Sequence, residues 1–94
     1  MHGVVRRYAR AGALADAMLE REQEIRDLLT SVPGMRAYYA LRTSDGSVAT
    51  ITICDDQAGT SESTRRAGEW VRQNMSGASV TPPEVTEGKV YFRI

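Results

Sequence analysis

Three consecutive pieces decide the fold: Met35 to Arg42 (MRAYYALR), Thr43 to Ser47 (TSDGS) and Val48 to Asp55 (VATITICD). Both outer runs are rich in β-branched and aromatic residues. Asp45-Gly46 between them is a strong hairpin signal, because glycine accepts the positive φ that tight primed turns require. With a link of two or four residues, Leu41 faces Thr50, Tyr39 faces Thr52 and Ala37 faces Cys54. Tyr38 then meets Ile53, and Ala40 meets Ile51, on the other side of the sheet. A three-residue link with a bulge breaks that parity.

Working outward, Pro33-Gly34 before the hairpin ends a helix that begins at Ala13. Leu14, Met18, Ile25, Leu28, Leu29 and Val32 recur at three- and four-residue steps, with Asp16, Glu20, Arg21, Glu24 and Asp27 on the opposite side. Further upstream, His2 to Tyr8 (HGVVRRY) reads as a short strand. Beyond the hairpin, Asp56 is placed to cap a second helix from Gln57 to about Met75. Ala58, Ala67, Trp70, Val71 and Met75 form its expected inner side, and Ser76-Gly77 its end. Thr81-Pro82-Pro83 is a loop, since proline has no amide to give a ladder. Lys89 to Ile94 (KVYFRI) alternates as a last strand.

The order β-α-β-β-α-β is the ferredoxin-like arrangement within the α+β class: four antiparallel strands with two helices on one face. At 94 residues the chain is read as one domain, residues 1–94. Two helices cover only one side of a sheet. Ala49, Ile51, Ile53, Val90, Phe92 and Ile94 make one strand face strongly apolar, and this face is assigned to the helices. The other face then carries Tyr39, Ala37, Leu41, Thr50, Thr52, Cys54 and Tyr91, a mixture too apolar to stay bare. A homodimer whose two sheets enclose an α/β barrel is therefore expected.

Composition narrows the chemistry. Twelve basic residues balance twelve acidic ones, with no block of like charge. A nucleic-acid binder is not expected on that balance; Arg6, Arg7 and Arg10 read as surface. No apolar run approaches the roughly 20 residues that cross a bilayer, so no membrane association is expected, and the absence of a signal-peptide pattern points to the cytoplasm. Cys54 is the only cysteine and His2 the only histidine. That excludes an internal disulfide and a cysteine–histidine zinc site. No glycine-rich phosphate loop is present.

The segments PGMRAYY (33–39), DDQAG (55–59) and PPEVTEGKVYF (82–92) resemble the dimeric α/β-barrel superfamily. Within it they are similar to the antibiotic-biosynthesis-monooxygenase-like domains, in particular a group of small uncharacterised bacterial proteins. The resemblance spans nearly the whole chain and implies the ferredoxin-like dimer. It also implies a range of activities: cofactor-independent monooxygenases on aromatic polyketides, haem degraders, isomerases and decarboxylases of ring compounds, and members with no known activity. The haem-degrading branch uses a histidine after its second helix. Here the one histidine lies in the first strand, so haem breakdown is not expected, nor is any other cofactor. Trp70 and Asn74 sit too late in the second helix to match the tryptophan and asparagine of the monooxygenase branch, and no catalytic role is carried over.

The candidate pocket-lining residues are Tyr39, Thr50, Thr52, Cys54 and Tyr91 on strands, with Trp70 and Asn74 four apart on a helix. Hydroxyls spread over an apolar wall position a small ring compound or donate to a developing oxyanion. Each has a plainer reading: strand residues filling an interface, a tryptophan packed on the sheet, an asparagine at a helix end. Cys54 has no histidine beside it to act as base and reads as a packed thiol; Asp55 and Asp56 read as a strand end and a helix cap. Because Tyr38 and Tyr39 are adjacent on a strand, only one of them can serve a given cavity. Three functions follow: an enzyme such as a cofactor-independent monooxygenase on a small aromatic or polyketide-like molecule, a non-catalytic dimer that binds a small apolar or aromatic ligand, and a structural or stress-linked dimer with a filled lumen.

Overall fold

The hairpin forms, one residue out of the expected phase. In the structure, a computed structural model that describes residues 1–75 and 81–94, its strands are β2 (Met35–Arg42) and β3 (Val48–Cys54). Thr43 N–H donates to Ser47 O at 2.9 Å and Gly46 N–H to Thr43 O at 3.1 Å, which leaves Ser44, Asp45 and Gly46 as a three-residue loop. Gly46 holds φ +83°, the left-handed residue that follows the turn in loops of this length. Asp45 locks the loop by accepting from Ser47 N–H at 3.0 Å and from the Thr43 hydroxyl. The register follows from the loop. Leu41 lies opposite Ala49, Tyr39 opposite Ile51 and Ala37 opposite Ile53, in place of the expected Thr50, Thr52 and Cys54.

That shift inverts the faces. Together with β1 (His2–Tyr8) and β4 (Glu84–Lys89), the strands make an antiparallel sheet in the order β2-β3-β1-β4. Val4, Arg6 and Tyr8 of β1 and Val48, Thr50, Thr52 and Cys54 of β3 are buried. They lie beneath α1 (Gly12–Glu20), α2 (Glu22–Thr30) and α3 (Gln57–Asn74). Ile51 stands between Val5 and Tyr39 on the uncovered side. The assignment of Ala49, Ile51 and Ile53 to the helices is thus corrected: apolarity does not choose the side when the loop length sets the phase.

The first helical stretch is also two helices. Arg21, at φ −117° and ψ 34°, is non-helical; its N–H closes α1 on Ala17 O at 3.1 Å. Its side chain reaches Glu24 at 3.1 Å and Asn74. The bend lets α1 lie against β3 while α2 turns to meet α3. Leu14, Ala15, Val48, Trp70, Met75, Tyr8 and Ala11 form the core between them.

Asp56 caps α3 as expected, accepting from Gly59 N–H at 3.0 Å. Its first half turns Gly59, Thr60 and Ser63 inward, and Ala58 outward. The expected end at Ser76-Gly77 lies outside the described residues. The last strand is corrected as well. β4 is the polar run Glu84–Lys89, paired on β1 from Arg7↔Glu84 to His2↔Lys89. One further bond, Val90 N–H to Met1 O at 3.0 Å, ends the ladder where β1 itself ends. Tyr91, Phe92 and Ile94 stand exposed beyond it.

Candidate binding groove and a buried cation

Inward alternation along β1 carries Arg6 under the helices between Val4 and Tyr8. The residue is 1% exposed. Its Nε donates to Thr50 Oγ1 at 3.3 Å, Nη2 to Thr52 Oγ1 at 2.8 Å, and Nη1 to Thr64 Oγ1 at 2.7 Å. A guanidinium stays charged in a protein and carries five N–H donors. These three bonds all go to neutral hydroxyls, and among the described residues Arg6 forms no ion pair. A buried charge without a counter-charge is costly and uncommon.

Two tyrosines border this cation. Burial pushes the hydroxyls of Tyr8 and Tyr38 above the ordinary tyrosine range, and the charge of Arg6 pulls both part of the way back. The neighbouring Thr50 adds to that pull at Tyr38. Both hydroxyls therefore remain protonated at neutral pH and are able to donate.

Tyr38 also faces a groove of about 580 Å³ between β2 and the α1–α2 pair, walled by Met18, Leu19, Ile25, Leu29 and Leu41. Ion pairs line its rim: Arg26 with Glu22 at 3.1 Å, Arg42 with Asp16 at 3.0 Å, and Arg36 with Asp55. Inward lies a second space of about 30 Å³, which shares Met18, Ile25, Leu29 and Tyr38 with the groove. Tyr8, Thr50 and Trp70 close it. The volume suits one water or one ring substituent. Trp70 Nε1 is buried and has no hydrogen-bond partner, alone in this among the side-chain polar atoms of the described residues. Buried donors are nearly always satisfied, so an orphan beside a cavity points to an absent acceptor.

The sequence-predicted site residues divide three ways. Thr50, Thr52 and Trp70 gather on the helix-covered side around Arg6 and the inner space. Cys54 is on that side too, fully buried, its thiol pushed up by burial and by Asp55 and Asp56, which removes it as a nucleophile. Tyr39 and Tyr91 are exposed, Tyr39 on the opposite face and Tyr91 beyond the end of β4, so the single wall expected to join them to Thr50, Thr52 and Cys54 does not exist. Asn74 donates to Trp70 O at 2.9 Å at the end of α3. His2 is held between Thr60 Oγ1 at 2.9 Å and Glu87 at 3.6 Å, and does not line the groove. Of the adjacent pair, Tyr38 and not the expected Tyr39 lines the groove, and Arg6 and Tyr8 are the residues that sequence reasoning missed. Their signal was Val4-x-Arg6-x-Tyr8, a strand alternation with two apolar residues on the same side as the arginine.

Among the described residues no cluster of three or more histidine, cysteine or carboxylate groups is suited to a metal. No family model matches the chain. No curated relative matches either. Solved structures match on fold. The chain is similar to a protein of unknown function from Nitrosomonas europaea, NE2512, with 14% identity, TM-score 0.74, and coverage of 99% of this chain and 91% of that one. It is similar to the ActVA-Orf6 monooxygenase of Streptomyces coelicolor, solved with nanaomycin D, at 16% identity and TM-score 0.70 over 99% and 89% of the two chains. It is also similar to SnoaB, a cofactor-independent oxygenase from Streptomyces nogalater, at 18% identity and TM-score 0.69 over 99% and 95%. A heme-degrader from Mycobacterium tuberculosis shares the same fold. The resemblance to the antibiotic-biosynthesis-monooxygenase-like proteins thus holds, and at these identities it establishes the ferredoxin-like fold alone. The chemistry has to come from the residues.

Proposed function

We propose that the groove between β2 and the α1–α2 pair binds a small aromatic or polyketide-like molecule, and that the protein acts on it as a cofactor-independent monooxygenase. The observation that carries this reading is the apolar groove itself, of a size usual for ligand sites, backed across its Met18, Ile25, Leu29 and Tyr38 wall by a separate small space that Trp70, with its unpartnered indole N–H, lines. The monooxygenase and oxygenase neighbours support it by fold. The balance of such a reaction needs no added reductant: an activated ring methylene takes one oxygen atom and becomes a carbonyl, while its two hydrogens leave with the other oxygen as water. The protein's part is to hold the ring in a dry site, with Trp70 N–H and the Tyr38 hydroxyl directed at its oxygens.

The reading extends to a homodimer. Val5, Tyr39 and Leu41 are 41%, 63% and 53% exposed on the uncovered face, beside Ile51 and Ile53. A second copy laid on that face shields them.

The test is a thermal-shift titration with anthrone and 1-naphthol, followed by oxygen uptake with anthrone in chelator-treated buffer. Binding raises the midpoint, and Trp70→Phe weakens it about tenfold, the worth of one buried hydrogen bond. Oxygen uptake equimolar with product supports catalysis. Unchanged midpoints with every ring compound sink the site. Binding without uptake leaves the second reading, a non-catalytic small-ligand-binding dimer.

A further inference from the structure

We infer that Ala40 is the residue that decides which rings the groove admits: its methyl leaves a slot between Tyr38 and Arg42, and a flat fused-ring compound enters there. The inference rests on the groove being a ligand site. It adds to that reading the place where the ring lies and the side chain that limits its size.

The slot begins with the parity of β2. Tyr38 lies opposite Thr52, Ala40 opposite Thr50 and Arg42 opposite Val48. Those three β3 residues are buried, so Tyr38, Ala40 and Arg42 are on the side that carries the helices. Yet Ala40, one strand further out than Thr50, is exposed. The helices pack chiefly on β1 and β3, and β2 is the edge strand beyond them. An alanine does little for a strand at such a position, where β-branched and aromatic residues are the better formers. Close packing is the usual reason for a small side chain, and nothing seals this one. What Ala40 supplies is space. Alternate residues on a strand stand roughly 7 Å apart, so Tyr38 and Arg42 leave the backbone about 13 Å from each other with only a methyl group between them.

The slot has definite walls. Arg42 reaches across to Asp16 of α1 at 3.0 Å, which fixes its guanidinium at one end. Tyr38 stands half-buried at the other. Next to Asp16 is Ala15, a second alanine lining the groove, so the α1 wall is thin on the side that Arg42 reaches. Leu19, one turn further along α1, lines the groove while 70% exposed, apolar area that a flat ring covers. A ring seated over Ala40 therefore meets a phenol on one side and a guanidinium on the other, both of which favour an aromatic partner. A bulkier residue at position 40 fills that seat and leaves the core untouched.

Titration calorimetry with 1-naphthol compares the parent with Ala40→Leu, which fills the slot, and Ala40→Ser, which leaves it open. The expected affinity falls at least tenfold in Ala40→Leu and stays within twofold in Ala40→Ser. The melting temperature of ligand-free Ala40→Leu is expected to be no lower than the parent's, because the added atoms lie in open space. A loss of less than tenfold in Ala40→Leu, or an equal loss in Ala40→Ser, overturns the inference while the groove reading stands. So does a ligand-free Ala40→Leu that melts lower or fails to fold by circular dichroism, since the alanine would then be there for packing. A parent that binds no 1-naphthol overturns the inference and the groove reading together.

Discussion

The two sides of the sheet are built in opposition. The covered side holds Arg6, Thr50, Thr52 and the buried thiol of Cys54, whereas the uncovered side holds Val5, Ile51, Ile53, Tyr39 and Leu41. From Thr50 to Ile53 on β3 the hydroxyls lie inside and the isoleucines outside, the reverse of the usual expectation for a small domain, although Val4, Tyr8 and Val48 share the covered side. Each anomaly has a partner that resolves it. Covered polar groups are resolved by mutual hydrogen bonds, as Arg6 is by three threonines. Uncovered apolar groups have no such internal remedy, and a second copy is the simplest one. Hydropathy read alone assigns the sides wrongly; satisfaction of each group assigns them correctly.

Three measurements break or sharpen this contrast. The largest effect comes from placing the same charge on either side. Val48→Asp, at a position 2% exposed, puts an unpaired carboxylate in the core and leaves the chain unfolded by circular dichroism. Tyr39→Asp leaves the fold intact but weakens the proposed dimer at least a hundredfold, or about 3 kcal/mol, in sedimentation equilibrium. A Tyr39→Asp variant as dimeric as the parent removes the case for a second copy on this face.

Next in size is a glycine pair. A Cβ on Gly59 of α3 meets Cys54 Cβ at 2.8 Å and Pro33 O at 2.9 Å, so Gly59→Ala wedges the helix off the covered side at a cost of about 2 kcal/mol in urea unfolding. A Cβ on Gly3 of β1 meets the tip of Ile53 at 2.9 Å on the uncovered side. That side chain has room to turn, and Gly3→Ala changes stability by less than about 0.5 kcal/mol, since restricting the unfolded chain offsets the crowding.

The smallest effect concerns the loop that sets the phase. Hydrogen bonds from Thr43, then from Ser47, with a contribution from Arg7, hold the Asp45 carboxyl at about 2. A folded value below the unfolded one, roughly 3.9, means that its contribution is present above pH 4 and is lost as pH falls toward 2. The melting temperature of Asp45→Asn should therefore lie below the parent's at pH 6 and converge with it by pH 2. A gap that does not narrow in acid refutes the role given to that carboxylate.

Much of the architecture was legible because it rests on local signals. Pro33-Gly34, the Asp56 cap and the two strands of the hairpin stand where their residue types place them. What was not legible depends on single residues of phase or on distant partners. Loop length is not encoded in Asp45-Gly46, which serves two- and three-residue turns alike, and every side-chain assignment on β2 and β3 inherits that ambiguity. The bend at Arg21 draws on Asn74, 53 positions away. β4 pairs through its backbone, so the polar string Glu84–Lys89 carried no alternation to reveal it. Thr50, Thr52 and Trp70 were singled out as hydroxyls and a ring near a cavity. Arg6 was not, because an arginine in a cluster of three reads as surface unless the strand parity around it is followed.

The neighbouring tyrosines carry one more consequence. Tyr38 and Tyr39 occupy the two sides of one strand, which the three-residue Ser44–Gly46 link joins to β3. A change of link length that turned β2 over would exchange them, presenting another phenol at nearly the same spot. The duplicated ring is thus a form of insurance against small indels: a lineage drifting in loop length would keep a hydroxyl donor at the binding site while the rest of the strand turned over.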